Sequence, residues 1–134
     1  MDTVTHITQA DPAIIDVAGC AQKLGIKEEH AQILLTNFVE TLPDEEAALR
    51  AAYDSGNIIL FINALHRLNG ALHYIGLPAL QQVGLDTEEA ARQTPDLQTL
   101  RPFYQNILHQ IKVVEREHLK FNPAATVSPR PLSE

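Results

Sequence analysis

Ala64-Leu65-His66-Arg67-Leu68-Asn69-Gly70-Ala71-Leu72-His73 is the stretch on which the reading of the chain turns. At about 100° per residue, Ile58, Phe61, Leu65, Leu68, Leu72 and Ile75 fall in one stripe roughly 100° wide, the width of a core-facing helix surface. His66 lies about 125° from the middle of that stripe, outside the core seam. One turn further along its own face stands Gly70. Glycine in a helix interior costs about 1 kcal/mol against alanine, so a glycine beneath an outward histidine implies that space is needed there.

Working outward, the same periodicity recurs on both sides. Asp11-Pro12 offers an N-cap aspartate followed by proline at the first helical position, and Ile14, Ile15, Val17, Ala18, Ala21 and Leu24 carry a helix to a stop at Gly25. A helix this short reads as a lid rather than a stave. From Lys27 an apolar pattern runs through Leu35, Phe38, Leu42, Leu49 and Ala52 to the break at Asp54-Ser55-Gly56. Pro43 interrupts it, so either a kink or two helices in near-continuation are expected, with Thr41 and Asp44-Glu45-Glu46 suited to a restart. The central helix spans about Asn57 to Tyr74, and Gly76-Leu77-Pro78 ends it. A further helix covers Pro78 to about Arg92, with Leu80, Val83, Leu85, Ala90 and Ala91 as its apolar content. The last starts near Pro102, after a single turn at Asp96 to Leu100, and repeats Phe103, Ile107, Ile111, Val114, His118 and Phe121 before Pro123.

Short connections between long helices force neighbours antiparallel. The expected fold is all-α, an antiparallel up-down-up-down four-helix bundle with a short additional N-terminal helix. Residues 1–10 read as a flexible leader, 11–122 as the single domain and 123–134 as a flexible tail. A chain of 134 residues suits one domain of this kind.

Composition excludes several functions. The net charge of −7 leaves no basic stripe for nucleic acid or an anionic membrane. Met1 to Ala10 is too polar for a signal peptide, and no apolar run approaches the roughly 20 residues of a membrane span. Cys20 is the one cysteine, read as a small buried hydrophobe in a reducing, cytoplasmic setting. The six histidines do not form a metal site, because His66 and His73 are separated by about 10.5 Å of helix rise. No phosphate-binding glycine loop is present, so a stand-alone ATP-dependent kinase is not expected, and no cofactor is implied.

What remains is the imidazole. Near neutral pH a free imidazole is largely unprotonated and nucleophilic, able to accept a phosphoryl group. Gly70 gives the group room, and Asn69 at i+3 offers an amide N–H. Arg67, about 100° round the helix, is a solvent or partner contact. A partner for the ring follows from the bundle. His66 stands about ten positions before the Gly76-Leu77 turn and Glu88 about eleven after it, so the two face each other across an antiparallel pair. Glu88 is thus either the ring's hydrogen-bond acceptor or an ordinary solvated charge. Ile59 and Ile62 lie within about 40° of His66 and read either as a docking surface or as the edge of a wide core face. His73, on the same side, is either a helper for the phosphoryl group or a semi-exposed helix residue.

The run His66-Arg67-Leu68-Asn69-Gly70, with Gly76 and Leu80 following, resembles the His-x-Leu-Lys-Gly signature of histidine-phosphotransfer (HPt) domains. His73-Tyr74-Ile75-Gly76-Leu77-Pro78 makes the likeness nearest to the HPt modules that end hybrid sensor kinases of the BarA/GacS type. The resemblance covers about Asp16 to Phe121. It implies a phosphorelay carrier in which His66 takes a phosphoryl group from one receiver-domain aspartate and yields it to another. Gly70 then gives access, Glu88 occupies the place of a polar residue that hydrogen-bonds the histidine, and the receiver supplies Mg²⁺. The partners implied are response-regulator receiver domains and a parent hybrid sensor kinase, with the chain a monomer at the cytoplasmic end of a membrane sensor. Asn69 departs from the pattern, where most members carry lysine. Two other functions are set beside this one: a non-catalytic helical adaptor, and a degenerate HPt domain that binds receivers without phosphotransfer.

Overall fold

In a computed structural model of the chain, residues 11–121 are described. They form five helices: α1 (Val17–Leu24), α2 (Glu28–Asp54), α3 (Ile58–Ile75), α4 (Pro78–Gln93) and α5 (Leu97–Phe121). Helices α2 to α5 pack each against the next, and α5 returns to α2, closing a four-helix bundle in up-down-up-down order. Helix α1 lies across its end against α2 and α3. The expected leader at 1–10 and tail at 123–134 lie outside the described residues. No helix among the described residues is long and apolar enough to cross a membrane.

Local chemistry sets the breaks. Gly25, Gly56 and Gly76 all have positive φ, the left-handed conformation that ends a helix with least strain when no Cβ is present. Asn57 caps α3, its Oδ1 accepting from the Ile59 and Leu60 amides at 3.0 and 3.3 Å. Pro78 takes the first position of α4, where its missing N–H costs nothing.

Two boundaries differ from those read in the sequence because packing outweighs a local signal, and at Pro43, where a kink or two helices were expected, one helix continues. The helix expected from Asp11-Pro12 is instead a single turn followed by α1. The Asp16 amide donates to the Gly76 carbonyl at 2.8 Å, drawing the chain onto the α3–α4 turn. Asp16 then recaps the chain, its carboxylate accepting from the Gly19 amide at 2.9 Å. A Cβ at Gly76 would overlap the Asp16 carbonyl, so that glycine serves the turn and the docking of α1 together. Pro43 does not divide α2, which runs unbroken through it. Beside it the Thr41 hydroxyl donates to the Phe38 carbonyl at 2.7 Å rather than starting a new helix. Pro102 likewise lies inside α5, which begins at Leu97 with Asp96 accepting from the Thr99 amide at 3.0 Å.

The core carries Leu35, Leu42 and Leu49 from α2, Phe61, Leu65, Leu68 and Leu72 from α3, Leu80 from α4, and Leu100, Ile107, Ile111 and Val114 from α5, all buried. At the end where α2, α3 and α5 meet, Tyr53 stacks on Tyr104 with ring centroids 4.0 Å apart. Phe61 stands edge-on to both. The Tyr53 hydroxyl donates to the Leu97 carbonyl at 3.0 Å, which ties the start of α5 to α2. Cys20 is buried, and burial pushes its thiol upward, away from the reactive thiolate.

Candidate functional site

The leucine seam that builds the core also fixes what α3 shows to water. With Leu65, Leu68 and Leu72 fully engaged inside, His66 emerges at mid-helix, its side chain 77% exposed. Across the groove, α4 presents Glu88, whose carboxylate is 23% exposed. His66 Nδ1 lies 2.9 Å from Glu88 Oε2. An ionised carboxylate only accepts, so Nδ1 carries the hydrogen, and in a neutral ring the lone pair is then on Nε2. The hydrogen bond from His66 holds the Glu88 carboxyl below its ordinary range. Partial burial opposes this, and the Asn69 amide and the charge of Arg92 add to it. Glu88 is therefore an anion at neutral pH, and the imidazole faces a permanent acceptor.

Asn69, read in the sequence as offering an amide N–H to the phosphoryl group, has that amide engaged elsewhere. It is buried, 8% exposed, and turned into the α3–α4 interface. Its Nδ2 donates to the Gly84 carbonyl at 3.0 Å and to Glu88 Oε1 at 2.8 Å, which uses both amide hydrogens. The physical reason is its angular position: Asn69 falls between His66 and the leucine seam, on the flank that α4 covers.

Gly70 is exposed, and a Cβ there would meet nothing within 4 Å among the described residues. Its φ is not positive, so neither backbone conformation nor internal packing requires glycine. The fold alone would favour alanine.

The flanking residues divide. Ile59 is 59% exposed, whereas Ile62 is partly buried and packs against the core, so the core-edge alternative holds for Ile62 and not for Ile59. Arg67 turns away from the ring toward α2, its Nε 3.8 Å from Glu45 Oε1. His73 is exposed two turns on, edge-on to Tyr74, and no hydrogen bond among the described residues joins it to His66 or Glu88. Leu85, expected to serve the core of α4, is instead exposed, as is Leu60 beside Ile59. Leu85 stands one turn before Glu88, which extends the apolar surface onto α4.

Gly84, inside α4, is the site residue that the sequence reading did not single out. A Cβ there would overlap Asn69 Oδ1. The signal was available: Asn69 and Gly84 are each about seven or eight positions from the Gly76-Leu77 turn, the same mirror relation that paired His66 with Glu88. No group of three or more histidine, cysteine, aspartate or glutamate side chains suited to a metal ion occurs among the described residues.

Comparison with known proteins bears on the family and the fold. Residues 33–115 match the family model for the Hpt domain. Among solved structures, the chain is similar to the HPT domain of a sensor hybrid histidine kinase from Shewanella, with a TM-score of 0.72 and 20% identity. The alignment covers 88% of this chain and 99% of that one. At that identity the likeness concerns the fold. No curated protein matches the chain.

Proposed function

Because the chain belongs to the Hpt domain family, whose members carry phosphoryl groups on histidine in two-component phosphorelays, we propose that His66 is its phosphoacceptor. The observation that carries this reading is the pairing of an exposed imidazole with an anionic carboxylate at Nδ1. That pairing leaves Nε2 as a lone-pair nucleophile with open space one turn away at Gly70.

The transfer follows from these groups. A receiver domain brings an aspartyl phosphate over the exposed ring, and the Nε2 lone pair attacks phosphorus. The P–N bond forms as the P–O bond to the aspartate breaks, and that electron pair leaves on the receiver's carboxylate. Nδ1 keeps its proton throughout, so the phosphorylated ring carries positive charge. Glu88, 2.9 Å from Nδ1, is placed to stabilise it. Reversal onto a second receiver's aspartate returns the ring to its starting state, so the chain acts as a carrier. Mg²⁺ belongs to the receiver in this scheme.

The surface around the ring fits a docking partner. Ile59 on α3 and Leu85 on α4 present apolar side chains to solvent near the His66–Glu88 pair. His73 and Arg67 lie at the rim of the same helix. The His73-Tyr74-Ile75-Gly76-Leu77-Pro78 run supports a closer affinity with modules of BarA/GacS-type hybrid sensor kinases, which makes a parent kinase of that type a partner to test.

The test is direct. The chain is incubated with a receiver domain phosphorylated at its aspartate, and acid-labile, base-stable phosphate is measured on wild type and on His66→Gln. Label on wild type and none on the variant is expected. Label persisting on His66→Gln would remove His66 from the role, and no label on wild type with any receiver in a broad panel would leave the chain a binding module.

A further inference from the structure

We infer that Asn69 is a positioning residue for phosphotransfer: seated on the Gly84 carbonyl, it fixes one oxygen of Glu88 so that the other holds His66 with its proton on Nδ1. This rests on the reading of His66 as phosphoacceptor.

The geometry is a chain of hydrogen bonds. Asn69 Nδ2 donates to Gly84 O at 3.0 Å and to Glu88 Oε1 at 2.8 Å, and Glu88 Oε2 takes the His66 Nδ1 hydrogen at 2.9 Å. Each link needs the one before it. A glutamate side chain at a helix surface has several rotamers and loses rotamer freedom when ordered. An exposed histidine–carboxylate pair by itself is a weak contact that would not hold it. Anchoring Oε1 from a buried amide removes that freedom before the ring arrives. The consequence falls on the imidazole, because the nitrogen that carries the proton is set by the hydrogen bond its partner makes. Without a fixed acceptor, the proton is free to move to Nε2 and occupy the nucleophilic lone pair.

Two features show that this arrangement does not serve packing. Among the described residues Asn69 Oδ1 is buried without a hydrogen-bond partner, a cost that leucine at the same place would not carry. The amide cannot turn over to relieve it, since both groups facing Nδ2 are acceptors. Gly84 is the second. It sits inside α4, where glycine weakens the helix, and the space its missing side chain leaves is filled by the Asn69 amide. A fold selected for stability alone would place an apolar residue at 69 and alanine at 84.

The experiment reads the ring directly. Two-bond ¹H–¹⁵N correlation spectra of the unphosphorylated full chain report which His66 nitrogen bears hydrogen. Wild type is expected to show the Nδ1–H form. Asn69→Leu is expected to move His66 toward the Nε2–H form, and to slow phosphotransfer from a phosphorylated receiver on the order of tenfold at unchanged receiver affinity. Gly84→Ala, which displaces the amide without removing it, should give the same tautomer change and serves if Asn69→Leu fails to fold. Retention of the Nδ1–H form in the folded variants overturns the inference, including where transfer slows, because Asn69 would then act by another route. If wild type takes no phosphate, the phosphoacceptor reading fails, while the tautomer spectra still decide whether Asn69 sets the ring.

Discussion

Gly70→Ala separates the interest of the fold from that of the site. Helix α3 runs without interruption through residue 70, and the backbone there is compatible with any L-residue. A new Cβ would meet no atom of the described residues within 4 Å, so the substitution brings no clash with them and little new burial. What it changes is the unfolded chain and the helix, where replacing an interior glycine by alanine is worth about 1 kcal/mol. For a domain of roughly 100 residues, that raises Tm by about 4–8 °C. The same methyl should harm transfer. Cα–Cβ bonds in a helix tilt toward its N-terminus, so a side chain at 70 leans over the turn that carries His66, where the receiver's phosphoryl group must enter. Displacing reacting atoms by about 1 Å can cost on the order of 10²-fold in rate. Gly70→Gln, longer but still a good helix former, extends the series. Thermal melts by circular dichroism should show both variants more stable than wild type. Quenched-flow transfer from a phosphorylated receiver should slow from glycine to alanine to glutamine. If Gly70→Gln transfers at the wild-type rate, clearance is not what the glycine provides; if Gly70→Ala melts lower, the position has a packing role that the open geometry contradicts.

Three further predictions test the surroundings. Glu88→Gln forces one amide to face both the His66 N–H and the Asn69 N–H, so its oxygen serves only one of them, and transfer should slow. Glu88 is held below its ordinary range in the fold, so its contribution is present above the unfolded carboxylate value of about 4.3 and is lost as pH falls through the lowered folded value. The difference in melting temperature between wild type and Glu88→Gln should therefore persist to about pH 5 and shrink below it, and a gap that widens with acid would refute the sign. His118 is buried in α5 with Nε2 unpartnered among the described residues, and burial pushes its ring down against a smaller opposite effect of Glu40. The unfolded chain then binds the proton first, near pH 6.5, so stability should fall as pH drops below that value, and His118→Leu should flatten this limb of the melting profile. Ile59→Ala should weaken receiver binding, read by calorimetry, with stability within about 0.5 kcal/mol of wild type, whereas Leu72→Ala in the core should cost about 2–5 kcal/mol in denaturant titrations.

The helix ends were legible because the forces behind them are local. A positive φ at Gly25 or Gly76, or an asparagine side chain reaching two residues ahead, depends on neighbours that the sequence itself supplies. Whether a helix continues through its proline was not settled there, for the opposite reason. Pro43 and Pro102 each cost a hydrogen bond where they stand, yet α2 and α5 continue through them because residues far along the chain demand it. Leu42 and Leu49 flank Pro43 and are both buried, and Leu97 must be helical for its carbonyl to meet the Tyr53 hydroxyl. The site divides along the same line. His66 and Gly70 could be placed from one helix, since exposure is set by distance from the leucine seam. Asn69 needed two. A helix in a closed bundle buries its seam and also the flanks beside it, so a residue intermediate between core and solvent belongs to whichever neighbour covers it. Arg67 leans toward Glu45 on α2, and Asn69 toward Gly84 on α4. An asparagine three residues from a reactive histidine looks like part of the same exposed face when the helix is drawn alone. In the bundle it lies on the buried side of Glu88, and the two faces of that carboxylate are what connect it to the ring.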